Sequence, residues 1–425
     1  MTWTDYIYEA LRSAWGKALL LASIVLFIVL EVQTRNDLDI FLQASIDMFS
    51  GENIYSKTYF DGYHYYYSML FAALMRPLAS LPAWCSKAIW LCLNFVLLWR
   101  IVRITQCYLS GFFSSEKQRM LFTLLLLFVS FRFIRGNLHL CQMTIVMLAL
   151  SLESIYRIHL HRQFAVGGVL LALTINIKLL PIVLLPYLLY RAQWRAAGYT
   201  IFFLALFFAL PFAFLPIGYH QQMLAEWWHL INPVQQRHVL DMDETSFHSM
   251  STLLAALFTD YLDPRYGLQT ARHIAVLSFE QLQWLLLAVR LTLVLLTLWF
   301  LRTRPFVMFQ EKEKVWWELS YLMLAVPLIF PHQQHYAFLM SMPALAWMLV
   351  ALLQKDFFKT GLRYWIAFSC IVSVVIVFNL GLWLGAYSAW YNHYKILTYG
   401  ALVLLLLIAC TSPRASAKSI VSSSQ

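Results

Sequence analysis

Apolar residues fall in long runs joined by short polar links along almost the whole chain; Ala18 to Leu30, Leu121 to Val129, Ile201 to Leu215, Trp284 to Leu301 and Ile366 to Leu380 are the clearest. A helix needs roughly 20 apolar residues to cross a bilayer core, so these runs predict an all-α integral membrane fold. The pattern places segments near 14–32, 84–104, 119–134, 139–157, 164–177, 179–190, 196–216, 279–301, 315–330, 336–354, 364–380 and 396–410, about twelve transmembrane segments in all. The neighbours 164–177 and 179–190 are too short to cross alone and meet at Asn176-Ile177-Lys178-Leu179-Leu180-Pro181. They read as broken or re-entrant helices, which are tolerated where the freed backbone is buried or lines a cavity.

Two long stretches, 33–83 and 217–278, interrupt this pattern. In the first, Ile40-Phe41-Leu42 with Ile46 and Phe49, set against Gln43, Asp47 and Ser50, predicts an amphipathic helix at the membrane interface. Gly51 follows where a C-cap glycine belongs. The second carries Trp227-Trp228, suited to the headgroup level, and predicts a short helix over Ser249 to Phe258. No internal repeat of the kind common in secondary transporters is visible.

Composition excludes a soluble enzyme, because only 12% of residues are charged and 61% are hydrophobic, against roughly a quarter charged in soluble domains. The formal net charge of +10 would suggest nucleic acid in a soluble protein. Here the basic residues sit in short links between apolar runs, so the charge reports topology and no nucleic-acid partner is expected. Alternating the loops puts Arg12, Lys17, Arg100, Arg103, Lys117 and Arg119 on one basic side, and both long stretches on the other. Both termini are then expected in the cytoplasm, as in a multi-pass protein of the cell (inner) membrane.

The first run ends in Leu30-Glu31-Val32-Gln33 without a small-residue cleavage pattern, so it is expected to remain as a span. One polytopic domain over 1–410 is expected, followed by a Ser-rich basic tail, 411–425, too polar to bury a core and expected to be disordered. The scattered cysteines, with neither CxxC spacing nor histidine partners, argue against a disulfide framework or zinc site. Arg290 stands inside a span and requires a partner there.

Candidate chemistry crowds the outer helix ends. Asp37 and Asp39 directly follow the first span; a carboxylate at a helix start fits a cap, and at the membrane surface it also fits a base for an acceptor hydroxyl. Tyr55 and the run Tyr59 to Tyr67, with Tyr63 and His64, fit an interfacial aromatic belt or a platform for sugar rings and isoprenoid chains. Arg132, Arg135, His139 and Gln142 cluster between two spans; a snorkelling arginine is the ordinary reading for one of the pair. Lys178 lies in a helix break, where a charge rarely faces lipid. His332 and His335 share a helical spacing after Pro331. Without a third ligand nearby they fit phosphate binding or a structural hydrogen bond better than a metal.

Four elements in order resemble glycosyltransferase family 87, polyprenyl-phosphate-dependent membrane enzymes of the GT-C superfamily. They are the first loop from Asp37-Leu38-Asp39 through Gly51-Glu52-Asn53-Ile54-Tyr55 and Tyr63-His64-Tyr65-Tyr66-Tyr67-Ser68 to Arg76-Pro77-Leu78, then Asn137 to Gln142, then Lys178-Leu179-Leu180-Pro181, and last Pro331 to Tyr336. The chain differs from the family pattern at Ser68, Cys141 and Thr144, where proline, glycine and asparagine are usual, and Phe247-His248-Ser249-Met250 matches only weakly.

The resemblance implies transfer of a mannose-like hexose or pentose from a polyprenyl-phosphate-linked donor to a lipid or glycan acceptor on the extracytoplasmic face, within membrane lipids; no cofactor is expected, and the absence of a compact acidic ligand cluster argues against a divalent metal. The register implies Asp37 as base with Asp39 in reserve. It implies Arg135, Lys178 and His335 at the donor phosphate, and Tyr55, Tyr63, His64, Gln142 and His332 around the sugar or acceptor. A phosphodiester donor expels a stable phosphate anion, so the second carboxyl of a glycosidase is not required. A polytopic transporter or lipid flippase is the competing reading, since broken helices and Arg290 suit it; it should show polar groups at the midplane. An acyltransferase fits the outward loops poorly, since it needs a histidine beside a cytoplasmic thioester.

Overall fold

The computed structural model describes residues 3–60, 62–232, 235–241, 246–262, 268–301, 305–309, 311–353 and 361–411. Among these the regular elements are all helices, and bridged extended backbone is confined to the pairs Tyr59 with Tyr63 and Phe247 with Gln334. The tail after Thr411 lies outside the described residues.

Two compact units share the chain. The first takes the described residues to Ile104, Ser115–Leu121 and Gly136–Asn232, and the second takes Thr105–Ser114, Phe122–Arg135 and the described residues that follow Asn232. Helices of the first part of the chain are α1 (Trp3–Arg12), α2 (Ala14–Glu31), α3 (Asp37–Phe49), α4 (Met69–Ala79), α5 (Ala83–Tyr108), α6 (Glu116–Val129), α7 (Phe131–His139), α8 (Thr144–His161), α9 (Phe164–Ile177), α10 (Leu184–Tyr190), α11 (Trp194–Ala209) and α12 (Ile217–Ile231). The second unit continues with α13 (Gln236–Leu240), α14 (Met250–Phe258), α15 (Phe279–Leu301), α16 (Lys312–Ile329), α17 (Met342–Leu353), α18 (Gly361–Leu380), α19 (Ser388–His393) and α20 (Ile396–Cys410).

Among the described residues six helical stretches are long and apolar enough to cross a membrane, or up to eight if each of two sharply bent pairs, α6 with α7 and Gly385–His393 with α20, counts as one span. The rest of the twelve expected segments fall on helices that are shorter or more charged. In α8, Glu153 holds Arg100 at 2.7 Å and Arg157 at 2.5 Å. α16 buries Glu318 within an otherwise apolar stretch.

The short helices expected at 164–177 and 179–190 are present as α9 and, after a 3-10 turn at Leu180–Val183, α10. Lys178 between them is extended (φ −152°, ψ 130°). Pro181 supplies no N–H to the helix that resumes after it, so the break is written into the sequence. α9 is wedged between α8 and α11. A Cβ on Gly168 would stand 2.5 Å from Tyr199 Cβ, and one on Gly167 2.4 Å from Ile158 Cγ1, so these glycines permit the close approach that fixes the height of Lys178.

A second break has no counterpart in the sequence pattern. The span expected over 119–134 ends at Val129, and α7 departs at 63°. Asn379 of α18 bridges the gap, donating from Nδ2 to Val129 O at 3.0 Å and accepting from Arg132 N at 3.3 Å. A side-chain amide thus replaces helix bonds that lipid could not satisfy.

Helix α3 also differs from the interfacial helix expected. Leu38, Ile40, Phe41, Leu42, Ala44 and Met48 are buried, largely against α4, whereas Ile46 and Phe49 face outward. It is a packed element of the first unit. Arg290 of α15 finds its partner in Ser251, to which Nη2 donates at 3.0 Å.

Candidate active site

Asp37 and Asp39, both placed directly after the first span, have different occupations. Asp39 Oδ2 accepts from Asn36 N at 3.0 Å and from Lys87 Nζ at 2.9 Å, and Lys87 also donates to Thr34 O at 2.6 Å. Asp39 therefore fastens the turn before α3 to the start of α5, a cap in function. Asp37, the first residue of α3, binds backbone N to Leu140 O at 3.2 Å, and its carboxylate accepts from the amide of Gln142. Its charge also acts on Lys178 and Tyr67.

Lys178 Nζ stands 5.3 Å from the centroid of the Tyr67 ring. Burial pushes the Lys178 ammonium down to about 8, while Asp37 acts in the opposite sense. Burial, aided by Asp37, pushes the Tyr67 phenol above its ordinary value. One carboxylate, one amide, one ammonium and one aromatic face thus converge within the first unit, bringing Asp37, Gln142 and Lys178 together.

Within the aromatic run, buried Tyr65 and Tyr67 alternate with half-buried His64 and Tyr66, the period of two of extended chain, whereas Tyr63 lies outside that alternation. Tyr65 and Tyr67 are buried, Tyr63 is exposed, and His64 is half-buried beside Tyr66, 6.3 Å between ring centroids. Tyr67 packs on Phe41 at 4.8 Å and Phe71 at 5.3 Å. Tyr55, fully enclosed, donates its hydroxyl to Tyr67 O at 3.0 Å. Tyr65 donates to Ser68 O at 2.9 Å. Ser68 receives Phe71 N at 3.1 Å as N-cap of α4 and donates to Asn176 Oδ1 at 2.9 Å. Ser68 is thus a junction between α4 and α9, bonded to a side chain two residues before Lys178.

The loop after α7 turns at Cys141, whose φ of +50° lies in the left-handed region, the conformation that favours glycine. Trp90 Nε1 donates to Cys141 O at 3.0 Å, and Gln142 N to Asn137 O at 2.9 Å. His139 pairs with Glu31 at 2.8 Å. Trp90, Lys87 and Asn176 gave no sign in the sequence; only the adjacency of Asn176 to Lys178 could have drawn notice.

In the second unit, Arg132 is buried, with Nη1 on Phe378 O at 3.1 Å and on Tyr391 Oη at 2.9 Å, and is a structural tie. Arg135 is exposed, and the charges of both arginines act on His335, which opens the 3-10 turn His335–Ser341. His332, with φ +55°, holds buried Asp241 through Nδ1 at 2.8 Å and its backbone N at 2.9 Å, and meets His238 at 2.5 Å. Ser249 donates to the same carboxylate at 2.5 Å, as does Thr252. Burial alone would push Asp241 up, but His332 and the two hydroxyls outweigh it and hold the carboxyl low. His332 is thus committed to anchoring the segment that leads into His335. Burial, with Lys395 and Arg132, keeps the neighbouring His248 well below the usual histidine range. Among the described residues no cluster of three or more His, Cys, Asp or Glu is arranged to hold a metal ion.

A family model described as glycosyltransferase family 87 matches residues 65–331. Tyr67, Gln142 and Lys178 lie within the matched stretch, Asp37 precedes it, and His332 and His335 follow it. No curated protein matches the chain.

Proposed function

The chain belongs to glycosyltransferase family 87, and from that premise we propose that it moves a mannose-like hexose or pentose from polyprenyl phosphate to a lipid or glycan acceptor on the extracytoplasmic face, with inversion at the anomeric carbon. The convergence of Asp37, Gln142, Lys178 and Tyr67 carries this reading.

In the proposed step, the acceptor hydroxyl attacks the anomeric carbon as Asp37 takes its proton. The bond from that carbon to the phosphate oxygen breaks, and polyprenyl phosphate leaves as an anion. Lys178 balances the phosphate charge, and Tyr67 offers its face to the ammonium. Tyr63 and His64, at the accessible part of the loop, are assigned to sugar or acceptor, while Tyr55 supports the loop from within.

Purified protein incubated with radiolabelled polyprenyl-phosphate sugars and envelope-lipid extracts should form a labelled product. Asp37→Asn should lower turnover by about a hundred-fold or more, the contribution of a positioned base, with donor binding intact. Retained transfer in Asp37→Asn would remove Asp37 from this role. Transport of donor without product would favour a flippase.

A further inference from the structure

Asp37 is gripped twice by one short turn: Leu140 O takes its backbone N–H at 3.2 Å, and the Gln142 amide donates to its carboxylate. A carboxylate on a helix's first residue has rotamers to choose among, and a single fixed donor selects one of them. The donor is itself fixed, since Gln142 N is bonded to Asn137 O at 2.9 Å and Cys141 before it is locked in a left-handed conformation. That conformation brings residues 140 and 142, on either side of Cys141, to the same partner. The Cys141 carbonyl would otherwise be a buried acceptor, and Trp90 Nε1, from the buried face of α5, satisfies it at 3.0 Å.

Resting on the reading of Asp37 as the base, we propose that Gln142 is its positioning residue, delivered by the Cys141 turn and locked from behind by Trp90, so that the family-implied contact of Gln142 with sugar is replaced by a role exerted through the base. Trp90 is bonded to the turn and not to Asp37, and acts only through it. A donor to the charged form also favours ionisation, which is the form a base must hold at neutral pH.

The experiment follows the Asp37 carboxyl directly, by infrared titration of the purified full chain in nanodiscs, with Asp37→Asn subtracted to identify the band. Gln142→Met keeps the side chain's length and removes the amide; the Asp37 midpoint should rise by about one pH unit, the shift expected on losing a hydrogen bond to a charged group. Trp90→Phe leaves every side chain at the site in place and should move the midpoint in the same direction by less. Cys141→Gly, which adopts positive φ without strain, should titrate as the wild type. In turnover, Gln142→Met should lose about ten-fold or more in kcat with KM within about three-fold, and the acid limb of its pH profile should move up with the infrared midpoint.

An Asp37 midpoint unchanged in both Gln142→Met and Trp90→Phe overturns the inference, even if Asp37→Asn is inactive. An active Asp37→Asn overturns the assignment of the base instead, and the infrared shift still reports whether the turn holds the carboxylate.

Discussion

Replacing Asp39 by asparagine should separate the two carboxylates by their signatures. Lys87 and Asp39 have side chains only 6% and 18% exposed, 2.9 Å apart. Breaking such a pair from one side leaves a charge enclosed without its counter-ion and typically costs about 3–5 kcal/mol. Two features moderate the loss: Thr34 O retains the ammonium at 2.6 Å, and an asparagine oxygen can still receive Asn36 N. Asp39→Asn should therefore destabilise the protein by about 3 kcal/mol, the low end of that range. Lys87→Met should cost a similar amount, and the double variant much less than the sum, because the stranded charge is then absent. Denaturant unfolding of the purified chain in mixed micelles measures the cycle, and turnover measured alongside should stay within about ten-fold of the wild type. A thousand-fold loss of turnover in Asp39→Asn with unchanged stability would refute the division and make Asp39 the base.

Lys178 should govern the alkaline side of the pH profile. Its ammonium, lowered to about 8, is charged below that pH and neutral above it, so kcat/KM should fall as pH rises through 8. Lys178→Arg should carry the limb beyond the working range, Lys178→Met should remove the limb and lower kcat/KM at pH 7, and an unchanged limb in Lys178→Arg would exclude this lysine. Gly381→Ala should unseat a buried cation: the new Cβ would stand 2.3 Å from Arg132 Nη2. Loss of the bonds to Phe378 O and Tyr391 Oη should lower stability by about 2 kcal/mol. An unaltered unfolding midpoint would show that the arginine yields freely.

Much of this architecture is legible because lipid leaves the chain few options. Apolar length alone marked α9, α15 and α20 at their observed bounds, and the short helix expected over Ser249 to Phe258 is α14, with Ser249 outside it as the N-cap that receives Thr252 N at 3.1 Å. The bend after Val129 left no such trace, since no proline or glycine stands at Ser130 and the residue that permits it, Asn379, lies far along the chain. The site divides in the same way. Asp37, Gln142 and Lys178 could be nominated from residue type and motif, and the register favoured Asp37 over Asp39, but the hold of Lys87 on Asp39 is set by tertiary packing. The aromatic run could be recognised as special, yet which tyrosines were structural became visible only in the fold, which buries Tyr65 and Tyr67 and leaves Tyr63 exposed.

Helices α6 and α9, at 14 residues each, reach only about 21 Å, well short of the roughly 30 Å of hydrocarbon in an ordinary bilayer. A helix that short would span lipid alone only at a cost of fractions of a kcal/mol per ångström of mismatch. Each continues past a break instead of crossing alone, α6 into α7 and α9 into α10, so reconstitution in lipids of increasing chain length should strain the protein first at Ser130 and Lys178, where the straight segments end.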